Sequence, residues 1–503
     1  MKDLLLGIDV GTYSSKAVLT GLDGKVLRTE TVAHGISTPR PGHVEQDADA
    51  VWWADVKTLC KNIFALGPFT ANDVASVAVS AIGPCLLPLC DQGAPLRPAI
   101  LYGVDARATH EIDELNTQLG EQILFGHARM SLTSQSIGPK IRWLQKHEPE
   151  VWSRTRHVTS ASAYLVFKLT GEHVLDHHTA SHFVPLYDPS ARKWSEHYTR
   201  HLNVPIEMLP KLGWCHDTAG EISRAASEAT GLVTGTPVAV GTVDALSEAI
   251  SVGVCQPGDL MIMYGSTTFF VLVQQVPTPD PRVWTTAGAY ADQFNLAAGM
   301  GTTGSLTRWF ANEFSREISV SAAYDQLFEA ALTIPPGSEG LLMLPYFNGE
   351  RTPINDPRAK GVIAGLSLHH KREHLFRATL ESVAFGVRHN LATLTEIGAK
   401  VKRIVAVGGG AQSDTWPQIV SDVCGVSQTL PSVKFGACYG DAFLAGCAAG
   451  LLRREDIRNW VKADRCVEPN VQHGAIYDDL YPHFLDLYRS TRHLVHRLGS
   501  LAN

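Results

Sequence analysis

The sequence predicts an α/β chain made of two related domains, and three observations carry that prediction. Short runs of β-type apolar residues alternate with segments of helical spacing along the whole chain. The opening strand–loop–strand pattern recurs about half the chain later, as a duplicated unit would. The 503 residues, at roughly 150 per domain, are enough for about two to four separate cores.

The elements justify this in order. Residues 4–10 form an apolar run expected as a buried strand, and Gly11-Thr12-Tyr13-Ser14-Ser15 breaks it. Residues 16–22 resume β-type sequence, Asp23-Gly24 signals a type I′ hairpin, and residues 26–33 alternate apolar with polar. Helical spacing is expected over 52–66, 109–124 and 139–147, with a strand over 74–80. Residues 238–240 form a short strand, and Asp244 follows it at the head of a small-residue helix. Pro257-Gly258 marks a boundary. After it, residues 259–264, Gly265-Ser266-Thr267-Thr268 and residues 269–273 repeat the opening pattern. A strand over 404–407 meets Gly408-Gly409-Gly410-Ala411, with helices over 415–426 and 440–452. The domains are expected to be 1–252 and 253–503.

Composition excludes several classes. With 45% apolar and 18% charged residues the chain is not broadly disordered. Forty-three Lys plus Arg against 50 Asp plus Glu give a net charge of −7, without a basic block for nucleic acid. Nine cysteines and no CxxC fit a reduced compartment, not a disulfide framework or a zinc site. The start is too short and acid-interrupted for a signal peptide, and no run reaches the roughly 18 apolar residues of a membrane span. A cytoplasmic protein is expected.

Four features bear on chemistry. Asp9-Val10-Gly11-Thr12-Tyr13-Ser14-Ser15-Lys16 offers backbone N–H groups, hydroxyls, an ammonium and an Asp for a Mg²⁺ water, a phosphate-binding set without the Walker spacing. A strand turn with a surface Lys is the plain alternative. Gly299-Met300-Gly301-Thr302-Thr303-Gly304 matches GxGxxG and opens a helix, yet no strand ending in an acid follows. A helix start beside a nucleotide fits it better than a nicotinamide site. Gly408-Gly409-Gly410-Ala411 could lay an adenine against backbone or could simply turn strand into helix. Asp244 stands where phosphoryl transfer to an alcohol needs a carboxylate, and an ordinary Asp pKa of about 3.9 suffices for that. Its plain alternative is a helix N-cap. The pairs His177-His178 and His369-His370, Cys85 and Cys90, and Trp52, Trp53 and Trp309 read as core or bystander residues.

In order along the chain, these segments resemble the FGGY family of carbohydrate kinases. The motifs are Gly7-Ile8-Asp9-Val10-Gly11-Thr12 to Lys16, and Gly42-His43-Val44-Glu45-Gln46-Asp47 with Trp52-Trp53. Then come Ala99-Ile100-Leu101-Tyr102-Gly103-Val104-Asp105-Ala106-Arg107, the Asp244 segment, and Tyr264-Gly265-Ser266-Thr267. Leu344-Pro345-Tyr346-Phe347-Asn348-Gly349-Glu350-Arg351-Thr352-Pro353, Gly361 to Leu366, Gly408 to Ala411 and the helix through Gly440 and Gly446 complete the set.

The resemblance implies two ribonuclease H-like (actin-like ATPase) domains with an active-site cleft between them, ATP and Mg²⁺ as cofactors, and a sugar or polyol as acceptor. It implies that Asp244 is the general base, that Asp9 lies near the metal, and that Gly11, Thr12, Ser14 and Lys16 lie near the transferred phosphate. Gly265, Ser266 and Thr267 match the second phosphate loop, with Ser266 where a Thr commonly stands. Gly304, Gly409, Gly410, Ala411 and Asp414 fall on the nucleotide side. Asp105 and Arg107 match the sugar-side Asp-x-Arg, with Ile82, Gly83 and Pro84 beside the acceptor. Xylulokinases typically carry Met-His-Gly where this chain has Ile82-Gly83-Pro84-Cys85, so plain D-xylulose is doubtful as substrate. Val104-Asp105-Ala106-Arg107-Ala108 also resembles autoinducer-2 kinases, leaving a linear polyol or ketose open. The rivals are a catalytically silent actin-like sensor and, resting on GxGxxG alone, a nicotinamide dehydrogenase. Neither nucleic acid nor membrane is expected as a partner, and a homodimer is allowed for.

Overall fold

The computed structural model describes residues 2–316, 319–432 and 435–501. Its chain forms two compact units. The first comprises Met1–Cys255, Val273–Asn295 and Phe435–Lys462; the second comprises Gln256–Leu272, Leu296–Lys434 and Ala463–Asn503. Two segments of the expected half 253–503, residues 273–295 and 435–462, pack with the first unit, which moves the boundary as drawn by contacts.

In the first unit, β1 (Leu4–Val10), β2 (Ser14–Gly21) and β3 (Val26–Ala33) form an antiparallel meander. β4 (Val74–Ala81) lies parallel to β1, and every residue of it is buried. Such a strand needs cover on both faces. One face takes the helix Ala161–Thr170 over β4, with α1 (Ala54–Ala65), which continues a π-helical turn at Ala48–Trp53, over β2 and β3. The other takes the helix Ala437–Ala448. That helix explains the moved boundary. A Cβ at Gly7 would lie 1.9 Å from the Cys438 carbonyl oxygen, and one at Gly440 2.1 Å from that of Ser247, so backbone rests almost directly on backbone. With β5 (Thr218–Glu221) and β6 (Pro237–Ala239) the sheet order is β5-β6-β4-β1-β2-β3, and β7 (Thr242–Val243) pairs with the end of β4.

Three local expectations shift. Only Gly24 of the β2–β3 turn has positive φ (79°), so the hairpin is not type I′. Gly24 N–H instead donates to the Gly21 carbonyl, and β3 slips by one residue after Val26, a longer loop with Gly in the left-handed position. The helix expected over 109–124 is two, α2 (Thr109–Leu119) and α3 (Glu121–Ala128), because Gly120 at φ 82° breaks the ladder. Together with α4 (Ile137–His147) they enclose a second core around Ile141, Leu144, Phe183 and Trp194. The last helix to note here, α5 (Asp244–Ser251), starts directly from β7.

The second unit is built on β8 (Asp259–Tyr264), β9 (Thr268–Gln274), β10 (Phe294–Met300), β11 (Arg403–Val407), β12 (Gln428–Pro431) and β13 (Ala463–Val467). Their order, β10-β9-β8-β11-β12-β13, matches the first unit's read from β3 to β5, with one further strand, Trp284–Ala287, beyond β10. β8 and β9 are antiparallel and β8 and β11 parallel, as are their counterparts. The half-length echo is thus a duplicated sheet. α6 (Gly304–Phe314) follows β10; its Trp309 is 38% exposed and is not the core residue expected. Among the described residues no helix is long and apolar enough to cross a membrane.

Candidate active site

Strand register assembles the first unit's site. Asp9 near the end of β1 pairs with Ser80 on parallel β4, and Ser80 pairs with Thr242 on β7, so the chain leaves β7 into Asp244 beside the carboxyl end of β1. Ligand sites in open α/β sheets lie at these carboxyl ends. Ser80 Oγ contacts Asp9 Oδ1 at 3.0 Å and donates to Asp441 Oδ2 at 2.7 Å, while Ser247 Oγ donates to Asp441 Oδ1 at 2.6 Å. Asp244 opens α5, and its Oδ1 accepts the next N–H, of Ala245, at 2.7 Å. It does not act as the side-chain N-cap that position alone suggested. Glu248 lies one turn further along α5.

The electrostatics of this cluster depart from expectation. Asp244 is raised to about 8, by burial first and then by the charge of Asp9. Glu248 is raised to about 7 and Asp9 to about 6, burial again leading, and Asp441 is also raised. Asp244 is therefore neither lone nor ordinary: four carboxyls share a poorly hydrated corner. Lys16, opposite Asp9 across β1 and β2, is the cation that offsets part of this charge.

That donor chemistry suits a hydrated Mg²⁺, which is bound through one or two carboxylates and keeps several waters. Among the described residues the oxygens of these acids do not converge as a direct three-point chelate. Asp9 fits best, with Asp244 and Glu248 as partners for the ion's waters.

The loop after β1 is closed by Gly11 N–H donating to the Ser14 carbonyl at 3.0 Å. His34 Nε2 contacts the Gly11 carbonyl at 2.9 Å and its Nδ1 lies 2.7 Å from Asp55, which also accepts from Ser15 Oγ at 2.7 Å. Thr12 Oγ1 lies 3.0 Å from the Tyr102 hydroxyl. Lys16 is exposed and Ser14 half-buried.

On the acceptor side, Ile82 is fully buried, Pro84 is buried and Gly83 is half-buried. A Cβ at Gly83 would lie 2.5 Å from Val243 Cγ1, so this chain has no room for a side chain there. Asp105 and Arg107 are committed to each other. Arg107 Nη2 donates to Asp105 Oδ2 at 2.7 Å and its Nη1 to Glu45 at 2.8 Å, while Asp105 also accepts from Val44 N–H at 2.6 Å. Both side chains are 0% exposed, and Arg107 lies 4.9 Å over the Trp143 ring. Buried Lys140 braces the same loop by donating to the carbonyls of Leu101 and Tyr102. Burial lowers its pKa to about 8. These contacts tie the loop together and leave neither side chain exposed.

In the second unit, Gly265 N–H donates to the Thr267 carbonyl at 3.0 Å, closing a loop like that at Gly11. The Ser266 carbonyl accepts from Thr303 N–H at 3.0 Å and Ser305 N–H at 3.1 Å, binding the loop to the start of α6. A Cβ at Gly304 would sit 2.6 Å from the Gly265 oxygen, at Gly301 2.8 Å from that of Gly349, and at Gly299 2.9 Å from Arg351 Cζ. All three GxGxxG glycines thus make room for the protein itself, which removes the nicotinamide reading. Ser266 is exposed and Thr267 half-buried. Gly408 takes φ 90° against Tyr264, Gly410 packs on Tyr264 and Trp416, and nothing stands within 4 Å of a Cβ placed on Gly409. The exposed face at Gly409 can therefore receive a flat ring; Ala411 is buried behind it. Asp414 is 88% exposed and pairs with Arg465 at 2.6 Å.

Sequence reasoning missed Ser80, Glu248, Asp441, His34 and Lys140. Glu248 carried a signal, four residues after Asp244, and Asp441 another, the one acid in a helix of small apolar residues.

Comparison with known proteins agrees with this geometry. Residues 4–251 match the N-terminal domain of the FGGY family of carbohydrate kinases, and residues 260–449 its C-terminal domain. The crystal structure of xylulose kinase from Rhodospirillum rubrum superposes with a TM-score of 0.91 at 30% identity, over 98% of this chain and 100% of that one. Xylulose kinase of Lactococcus lactis subsp. lactis is 28% identical over 98% of both chains. Gluconokinase of Bacillus subtilis is 27% identical over 97% of this chain and 96% of its own. The duplicated α/β sheet is the actin-like ATPase architecture of this group, and the chain belongs to the FGGY family of carbohydrate kinases.

Proposed function

We propose that the protein transfers the γ-phosphoryl group of ATP to a hydroxyl of a small sugar, sugar acid or linear polyol, with Asp244 as the general base. The observation that carries this reading is the carboxylate at the end of β7, raised to about 8 by burial and by Asp9. A base works best with a pKa near the operating pH, and here the environment alone brings an Asp close to it. As the acceptor oxygen attacks phosphorus, its proton passes to Asp244. Lys16 and the loop at Gly11 orient the transferring end of the nucleotide. The loop at Gly265 to Thr267, tied to Gly304, is assigned to the phosphates, and Gly409 and Gly410, with Ala411 behind them, to the adenosine. Mg²⁺, held near Asp9, would supply charge neutralisation at the phosphate oxygens. Because phosphoryl transfer has a loose transition state, positioning and electrostatics supply most of the acceleration.

The acceptor remains a class. The relatives are named for xylulose and gluconate, and this chain lacks the room at Gly83 for a side chain reaching the sugar. That absence favours an acceptor with a different polar pattern from D-xylulose, including the linear polyols and ketoses taken by autoinducer-2 kinases. ATP as donor and nine free cysteines support a cytoplasmic setting.

The test is ADP release across a panel of pentuloses, pentoses, hexonates and polyols with ATP and Mg²⁺. Release dependent on one acceptor class supports the proposal. No acceptor-dependent release from protein that binds both ATP and sugar would favour the silent sensor.

A further inference from the structure

Away from this site, α2 carries His110 and Glu114 at i and i+4, a spacing that stacks two side chains on one face of a helix. Glu111 stands beside them. One ligating atom from each of the three lies within 4.8 Å of the other two. Glu111 is only 1% exposed, and its two oxygens differ. Oε1 lies 3.3 Å from His147 Nε2 of α4 and 3.8 Å from His110 Nδ1. Oε2 is buried without a hydrogen-bond partner. A buried carboxylate oxygen lacking a donor is costly, and such orphans mark a missing partner. The site is also reachable, because the His110 side chain is 84% exposed and a recess of about 360 Å³ opens beside His110, Asp113 and Glu114.

We propose that His110, Glu111 and Glu114 form a binding site for a divalent transition-metal ion of the zinc class. An imidazole nitrogen with carboxylate oxygens suits zinc or cobalt, whereas calcium and magnesium prefer oxygen alone. Glu111 ligates through Oε2, while His147 holds Oε1; a hydrogen-bonded second oxygen is the usual support of a ligating carboxylate. Glu114 now meets Lys146 on Oε2 and, on Oε1, Gln118 Nε2 at 3.1 Å and Arg142 at 3.4 Å, so it ligates through Oε1 by releasing these two contacts and keeps Lys146 on Oε2. Three protein ligands leave the fourth tetrahedral position to water. The bound ion ties the first turns of α2 to the end of α4 through Glu111 and His147.

The experiment titrates the full chain with Co²⁺ alone, followed by visible absorbance, and with Zn²⁺ alone by calorimetry. A Cys466→Ser background removes the exposed thiol. One equivalent, beyond any ion taken at Asp9, should bind with ligand-field bands and no sulfur-to-cobalt charge transfer. His110→Ala, Glu114→Gln and Glu111→Gln should each weaken binding by about tenfold or more, and His147→Ala by roughly 10–100-fold. His110→Ala and Glu114→Gln keep the test decisive if Glu111→Gln does not fold. Unchanged stoichiometry and affinity in the His110→Ala/Glu114→Gln double variant, a thiolate charge-transfer band, or no binding up to about 1 mM would overturn the assignment.

Discussion

β1, β2 and their loop in the first unit correspond to β8, β9 and their loop in the second, and the remaining strands follow in the same order. The two sheets differ in what stands at the carboxyl ends. In the first, Asp9, Asp244, Glu248 and Asp441 crowd together and all are shifted upward. In the second, the corresponding loops are glycine and hydroxyl residues. One of its buried acids, Glu350, is also raised, to about 7, but accepts N–H bonds from Gly301 at 2.6 Å and Arg351 at 2.8 Å. Asp244 accepts one, from its own neighbour. The same scaffold therefore holds an acid with two N–H donors in one unit and an acid with one in the other. Duplication supplies the frame, and a few side chains at strand ends decide the chemistry.

The largest expected effect sharpens the acceptor side of the first unit. Arg107→Ala leaves buried Asp105 without its paired cation, while Glu45 keeps Arg97, and should cost about 3–5 kcal/mol in urea unfolding. A higher sugar KM at unchanged stability would instead make Arg107 a substrate contact. Gly7→Ala places a methyl 1.9 Å from the Cys438 oxygen and should cost about 3 kcal/mol, read by the same method. Its tolerance would show that the helix Ala437–Ala448 is free to move off β1. In the second unit, Gly304→Ala at the start of α6 meets the Gly265 oxygen at 2.6 Å and should cost roughly 1–3 kcal/mol and raise the KM for ATP, checked by unfolding and steady-state kinetics.

The smallest effect is pH-dependent. An acid raised in the folded state stabilises fully below its unfolded value near 3.8 and loses that contribution as pH rises through its folded value, about 8 for Asp244. In buffer free of divalent cations, Asp244→Asn should therefore gain in melting temperature over the wild type between pH 5 and 9, by roughly 1–4 °C. Glu350→Gln should shift it in the same direction but by less, since both N–H bonds fall on Oε1, which the amide keeps as a carbonyl oxygen, and Glu350 is raised only to about 7.

The sequence showed the frame because the frame is local. Runs such as 4–10 and 259–264 are apolar over a strand's length, and the glycine loops after them break both runs alike. Asp9, Gly11, Asp244 and Gly265 were legible as motif positions for the same reason. What the sequence concealed depends on distant pairing. Ser80 gains its role from lying between Asp9 and Thr242 in the sheet, and Asp441 from a helix more than 350 residues away that packs on β1. The shift of Asp244 was hidden because it arises from neighbours, not from residue type. Asp105 and Arg107 show the opposite case, a legible motif whose side chains turn inward. Trp309 looked like core by spacing, yet the amphipathic face of α6 leaves it partly in water.

The central claim is that the Asp244 carboxylate takes the acceptor's proton, and single-turnover phosphoryl transfer by Asp244→Asn tests it most directly. With ATP affinity first shown to be near that of the wild type, the rate should fall by roughly 10²–10⁴-fold. Transfer within a few fold of the wild-type rate in that variant would contradict the account.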